Sequence, residues 1–140
     1  MIVSELIIYT DGGARGNPGP AAIAAVIGDK EYGETIGETT NNIAEYKAAI
    51  FALKKAKHLI GKEKAKESEI EIRSDSELLV NQVNGKYKIK EAELKNLFVD
   101  IWNLKQDFKK VVFIHISREK NILADAILNK SLDRAGAKLL

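Results

Sequence analysis

Cysteine is absent from the 140 residues, which excludes disulfides, thiolate zinc sites and a cysteine nucleophile. Histidine occurs only twice, as His58 and His115, too few for a zinc site built from imidazoles. Any metal bound here would be held by oxygen ligands, which favours Mg²⁺ or Mn²⁺. No apolar run approaches the ~20 residues that cross a bilayer, so no membrane association is expected. The start, Met1-Ile-Val-Ser-Glu, has neither a basic region nor a long apolar stretch; no signal peptide is expected, and the expected location is the cytoplasm. Charge of one sign is also lacking: the net value is +2, so the field of the whole protein says little about partners. What remains is 45% apolar and 30% charged, the composition of a globular chain, and residues 1–140 read as a single domain. Local charge is more informative. Residues 54–66 are rich in lysine, and Lys86, Lys88 and Lys90 flank Tyr87. Such runs are either solvated faces or the footprint of a polyanion.

Residues 7–19 read Ile-Ile-Tyr-Thr-Asp-Gly-Gly-Ala-Arg-Gly-Asn-Pro-Gly. An apolar strand over residues 6–9 runs into one carboxylate, Asp11, and then into a turn with four glycines and a proline. This turn lacks the Gly-Lys-Ser/Thr ending of a nucleotide-binding P-loop. Residues 21–27 and 31–38 form two further strands joined as a hairpin by Gly28-Asp29-Lys30, completing an antiparallel meander. From Asn42 the period changes: Ile43, Tyr46, Ile50, Leu53 and Ala56 recur at three- and four-residue steps. This predicts an amphipathic helix capped by Asn42 and ended by Gly61. Residues 62–68 read as a charged link, 69–73 as a short strand, and Ser74-Asp75-Ser76-Glu77 as the start of a helix reaching Val83. A long helix from Glu91 carries Leu94, Leu97, Phe98, Ile101, Leu104 and Phe108 on one stripe, with Trp102 expected to pack. Residues 111–116, almost wholly apolar and β-branched, read as a buried strand. The last helix opens near Asn121, carries Leu123, Ile127 and Leu132, and loosens from Gly136. The order β-β-β-α-β-α-α-β-α predicts an α/β fold. It is a mixed sheet of three antiparallel and two parallel strands with helices on both faces.

Four acidic residues fall where apolar elements begin or end. Asp11 ends the first strand, and Asp75 directly follows the strand at 70–73. Glu45 is expected in the first turn of the first helix, on the side of Ala48, Ala49 and Ala52, and Asp125 in the first turns of the last. Ligand sites in sheets with parallel strands form at the carboxyl ends of those strands. If the first strand and the 70–73 strand are parallel neighbours, Asp11 and Asp75 lie side by side, and the two helix starts can join them. Four clustered carboxylates repel one another and need bound cations, the setting of two-metal phosphodiester hydrolysis with ions ~3.5–4 Å apart. Singly, each has a plainer reading: Asp11 opens a turn, Glu45 completes a cap, Asp75 starts a helix, and Asp125 suits a helix N-terminus. The inference rests on the four together.

The chain resembles the ribonuclease H family, in its short ribonuclease HI type. The resemblance is carried by Thr10-Asp11-Gly12-Gly13-Ala14-Arg15-Gly16-Asn17-Pro18-Gly19 and Thr39-Thr40-Asn41-Asn42-Ile43-Ala44-Glu45. Ser74-Asp75-Ser76 and Asn121-Ile122-Leu123-Ala124-Asp125 follow in family order. It implies a monomeric endonuclease that cleaves the RNA strand of RNA–DNA hybrids to 5′-phosphate and 3′-hydroxyl ends, with double-stranded RNA as a further possible substrate. By resemblance Asp11, Glu45, Asp75 and Asp125 hold two Mg²⁺ or Mn²⁺ ions, one activating water and the other stabilising the leaving 3′-oxygen. Gly12, Gly13, Asn17, Asn41, Asn42, Ser76 and Glu77 are then placed to read the RNA strand and its 2′-hydroxyl. Thr40 would hold a phosphate of the DNA strand, and Tyr87 would lie against the DNA sugars or simply pack.

Two departures stand out. Longer members carry a basic extra helix after the Asp75-type helix, whereas residues 86–90 here run almost directly into the long helix. This predicts a weaker grip on substrate, or a grip by residues 54–66. Many relatives also have a histidine-bearing loop before the last helix. Here Ser117-Arg118-Glu119-Lys120 is short and His115 falls in a strand, so Arg118 is the candidate to approach the scissile phosphate. Another nuclease of the same fold, such as a Holliday-junction resolvase or integrase core, and a non-catalytic hybrid-binding module are the competing readings.

Overall fold

The structure is a computed structural model and describes residues 4–139. Strands β1 (Ser4–Ala14), β2 (Gly19–Ile27) and β3 (Lys30–Thr39) form the antiparallel meander. Strands β4 (Ser68–Ser74) and β5 (Lys110–His115) extend it in parallel, giving the order β3-β2-β1-β4-β5. Five helices accompany the sheet: α1 (Asn41–Ile60), α2 (Lys62–Ala65), α3 (Glu77–Val83), α4 (Ala92–Lys105) and α5 (Ile122–Leu139). A 3₁₀ turn at Arg118–Lys120 precedes α5. No helix of the described residues is long and apolar enough to cross a membrane.

The period-2 pattern of the strands divides the interior in two. Ile8, Ala25, Ile70, Ile72, Val111 and Phe113 face Tyr46 and Leu53 of α1 and Leu94 and Ile101 of α4 in the main core. On the opposite face Ala22 and Ala24 pack under Leu128 and Leu132 of α5 in a smaller one. Helices therefore cover both faces, as expected. Alanine is what allows the close approach: Ala44, Ala48, Ala49, Ala52 and Ala56 of α1 are all fully buried.

Several expectations need correction. β1 does not stop before Asp11; it continues to Ala14 because residues 11–14 keep pairing with residues 21–24 of β2. The turn is confined to residues 15–18, where Gly16 has φ +96°. The cap of α1 is Thr40, whose Oγ1 accepts from the Ile43 N–H at 3.3 Å, and not Asn42. The cap thus lies two residues earlier than expected, and Glu45 falls in the second turn of the helix. Residues 62–65 form α2 around the fully buried Ala65, where a plain link was expected. β5 is one of the two edge strands and is covered on one face only, so Val111 and Phe113 are buried while Ile114 is 39% exposed. Trp102 is 54% exposed, because one residue of helix rotates it about 100° away from the inward-facing Ile101. Leu123 is likewise exposed on α5, where Ala124, Leu128 and Leu132 take the inner stripe. The last helix does not loosen at Gly136 but runs to Leu139.

Candidate active site

The ladder between β1 and β4 ends at the pair Thr10–Ser74. The next residue on each strand path is Asp11 or Asp75, so the two carboxylates emerge side by side at the carboxyl end of the parallel pair. Two serines shape the turn around Asp75. Ser74 Oγ accepts from the Ser76 N–H at 3.0 Å, and Ser76 Oγ caps α3 by accepting from the Leu79 N–H at 3.2 Å.

Glu45 reaches the same point from above the sheet. Its Oε1 accepts from the Gly12 N–H at 2.7 Å, across 33 residues of chain. The carboxylate is therefore committed to β1 and not to capping its own helix. A Cβ at Gly12 would collide with the backbone of Ala44 and Glu45, so glycine is required for α1 to lie this close. One carboxylate oxygen from each of Asp11, Glu45 and Asp75 lies within 4.8 Å of the others. Asp125, in the first turn of α5, lines the same cleft, near enough for its charge to act on Asp11.

The electrostatics follow from this crowding. Asp11 is 5% exposed. Burial first, then the charges of Asp75 and Asp125, push its carboxyl from 3.8 up to about 7, against the Gly12 N–H, which lowers it. Glu45 is held well above the usual carboxylate range by burial and by Asp11 and Asp75, with Gly12 and the Arg118 guanidinium drawing it back. Protonation is one way to relieve such a cluster; a divalent cation is the other. Four hard oxygen donors fit Mg²⁺ or Mn²⁺, with Asp11, Glu45, Asp75 and Asp125 as the residues able to hold them.

The carboxylates sit in a cleft of about 770 Å³ whose walls include Gly12, Gly13, Asn41 and Arg118. Arg118, on the exposed 3₁₀ turn, thus shares the cleft with the acidic group. Asn17 and Asn41 brace its rim. Asn17 Oδ1 accepts from the Asn41 N–H at 2.9 Å, and Asn41 Oδ1 accepts from the Ala14 N–H at 2.8 Å. Both amides spend their carbonyl oxygens internally, which leaves their NH₂ ends to offer a ligand. Asn42 is half-buried beside them on α1.

Ser76, Glu77 and Tyr87 do not line that cleft. The Tyr87 hydroxyl donates to Glu77 Oε1 at 2.8 Å, and the ring, 45% exposed, borders a separate depression of about 520 Å³ with Lys86, Lys88 and Lys90. A buried relay anchors this segment. The Tyr46 hydroxyl donates to Gln82 Oε1 at 2.6 Å, and Gln82 Nε2 donates to the Lys88 carbonyl at 2.9 Å. Two polar cleft residues had not been given a role from sequence, Arg15 and Asn129. Arg15 pairs with Asp133 at 2.6 Å, and Asn129 Nδ2 donates to the Asp125 carbonyl at 3.0 Å. The available signal for Asn129 was its position one helical turn after Asp125.

Similarity to known proteins agrees with this geometry. A family model described as reverse transcriptase-like matches residues 9–131. Bifunctional protein Rv2228c of Mycobacterium tuberculosis is 34% identical over 94% of this chain and 36% of its own length. Ribonuclease HI of Halobacterium salinarum is 39% identical over 91% of this chain and 64% of its own length. The chain therefore spans about a third to just under two-thirds of these curated relatives. Among solved structures, LC11-RNase H1 in complex with an RNA/DNA hybrid superposes with a TM-score of 0.87 at 49% identity, covering 93% of this chain and 98% of that one. Agreement of this extent, in both sequence and fold, means that the chain belongs to the ribonuclease H family.

Proposed function

We propose that this chain is a metal-dependent endonuclease that hydrolyses the RNA strand of RNA–DNA hybrids, leaving 5′-phosphate and 3′-hydroxyl ends. The observation that carries it is the meeting of Asp11, Glu45 and Asp75, from the carboxyl end of the β1–β4 ladder and from α1, within 4.8 Å and with Asp125 in the same cleft. No simple structural purpose accounts for burying so much like charge. When bound by these four residues, two Mg²⁺ or Mn²⁺ ions supply an activated water and charge neutralisation at the leaving 3′-oxygen.

The chain's own residues supply position. The Gly12 N–H fixes the Glu45 carboxylate against β1, so the acidic group is organised before substrate arrives. Arg118 brings a permanent positive charge to the same cleft, suited to a phosphate oxygen. The amide NH₂ groups of Asn17 and Asn41, with Asn42 and the backbone of Gly12 and Gly13, are donors at the rim. The minor groove of an A-like hybrid presents acceptors and 2′-hydroxyls to such donors. Glu77 and Ser76 extend this reading of the RNA strand. Thr40 takes a DNA-strand phosphate, and the exposed Tyr87 ring among three lysines lies along the DNA sugars.

The test is cleavage of a labelled hybrid by the wild type and by Asp75→Asn, with Mg²⁺, Mn²⁺ or chelator. Single-stranded RNA, duplex DNA and duplex RNA run in parallel lanes, the last deciding whether double-stranded RNA is also cut. Metal-dependent cutting of the hybrid's RNA strand, lost in the variant, is the expected result. Hybrid binding without cutting would favour a non-catalytic module, and cutting indifferent to the hybrid would overturn the substrate assignment.

A further inference from the structure

Three of the four carboxylates have an evident tie to one another: Glu45 through the Gly12 N–H, and Asp11 and Asp75 through the β1–β4 ladder. Asp125 comes from α5, which is not part of the sheet, and needs a tie of its own. We infer that Asn121 is a positioning residue that sets Asp125 beside Asp11 by joining the start of α5 to β1. Asn121 is 1% exposed, and its Nδ2 donates to the main-chain carbonyl of Thr10 at 2.9 Å, across 111 residues. The main-chain carbonyl of Asn121 accepts from the Asp125 N–H at 3.1 Å. One buried side chain and its backbone therefore connect the residue preceding Asp11 with Asp125 itself.

The stability cost of this arrangement marks it as more than a brace. Thr10 Oγ1 and Asn121 Oδ1 are both buried and have no hydrogen-bond partner among the described residues. Burying an unpaired oxygen destabilises a fold, and an apolar side chain at position 121 would join α5 to the sheet without the orphaned Asn121 Oδ1. Local violations of this kind are retained where geometry matters to function. The inference rests on the hybrid-nuclease reading for its catalytic consequence, but the placement of Asp125 is measurable without substrate.

The experiment compares wild type and Asn121→Leu by Mn²⁺ titration calorimetry, by melting in chelator, and by kcat and KM on the hybrid. Expected for Asn121→Leu are a Tm in chelator close to wild type, the lost bond to the Thr10 carbonyl being offset by removal of the unpaired Oδ1, and a loss of about 10- to 100-fold in Mn²⁺ affinity and kcat, with KM within about threefold. In an Asp125→Ala background the same change should cost nothing further, because the effect passes through Asp125. Mn²⁺ affinity and kcat within about twofold of wild type, or an equal loss in the Asp125→Ala background, would overturn the inference. Should Asn121→Leu not fold, Asn121→Ser, smaller and without the amide donor, is measured the same way. Failure of both to fold would also overturn it, since Asn121 would then be holding the fold. A wild type that binds Mn²⁺ without cutting hybrid defeats the nuclease reading alone and leaves the isotherms to decide the role of Asn121.

Discussion

The Gly12 N–H and the Glu45 carboxylate meet at 2.7 Å because β1 and α1 touch backbone to backbone at this point. Gly12→Ala should therefore act on the site and the fold together. A methyl group there must push α1 away from β1, at about 3 kcal/mol or more for a rigid backbone contact, and draw Glu45 off its donor. Urea denaturation and Mn²⁺ titration of the variant are expected to show lost stability and weakened metal binding. A variant as stable as wild type with normal metal affinity would show that the contact relaxes without consequence.

The crowded carboxylates predict an inverted response to pH. The Asp11 carboxyl is raised from 3.8 to about 7, so the folded chain holds its proton more tightly than the unfolded chain does. Stability from this group is full below pH 3.8, is lost as pH rises toward about 7, and is level above that. Glu45 shifts in the same direction and adds to the loss. In chelator, the urea midpoint is expected to fall between about pH 4 and pH 7, and Asp11→Asn to flatten the fall. Mg²⁺ should restore stability strongly near pH 8 and weakly near pH 5, where protons compete for the same oxygens. A midpoint that climbs steadily with pH in chelator would contradict the crowded geometry.

Arg118 shares the cleft with the four carboxylates and draws the Glu45 carboxyl downward. If it meets the scissile phosphate, Arg118→Ala should lower kcat about 10- to 100-fold, and Arg118→Lys should recover part of the loss. Mn²⁺ affinity is expected to change little, because the guanidinium is no metal ligand. Single-turnover cleavage separates this from a binding defect. Full activity in Arg118→Ala would leave the arginine without a catalytic role.

Much of this protein was legible from local signals. The meander, the first long helix with its end at Gly61, the two parallel strands and the four acidic positions follow from periodicities of two and 3.6 and from where glycine and polar residues interrupt them. Burial at the edges was not legible in this way. Trp102 and Leu123 lie one residue from buried helix positions, and Ile114 lies on the uncovered face of an edge strand, so which side chains face outward depends on what packs against each element. The cap of α1 turned on whether Thr40 or Asn42 could reach an open N–H, a matter of backbone direction rather than of residue type.

The amino-acid sequence by itself determined the kind of chemistry open to this chain. Without cysteine and with only two histidines, oxygen ligands and hard divalent cations were what remained, and four acidic residues stood close to the boundaries of apolar segments. Tertiary structure alone decided that these residues form one site. Glu45 meets Gly12 across 33 residues, and Asn121 meets Thr10 across 111. Contacts at such separations have no local signature, because they exist only once the sheet order β3-β2-β1-β4-β5 has put β1 at its centre, with α1 on one face and α5 on the other.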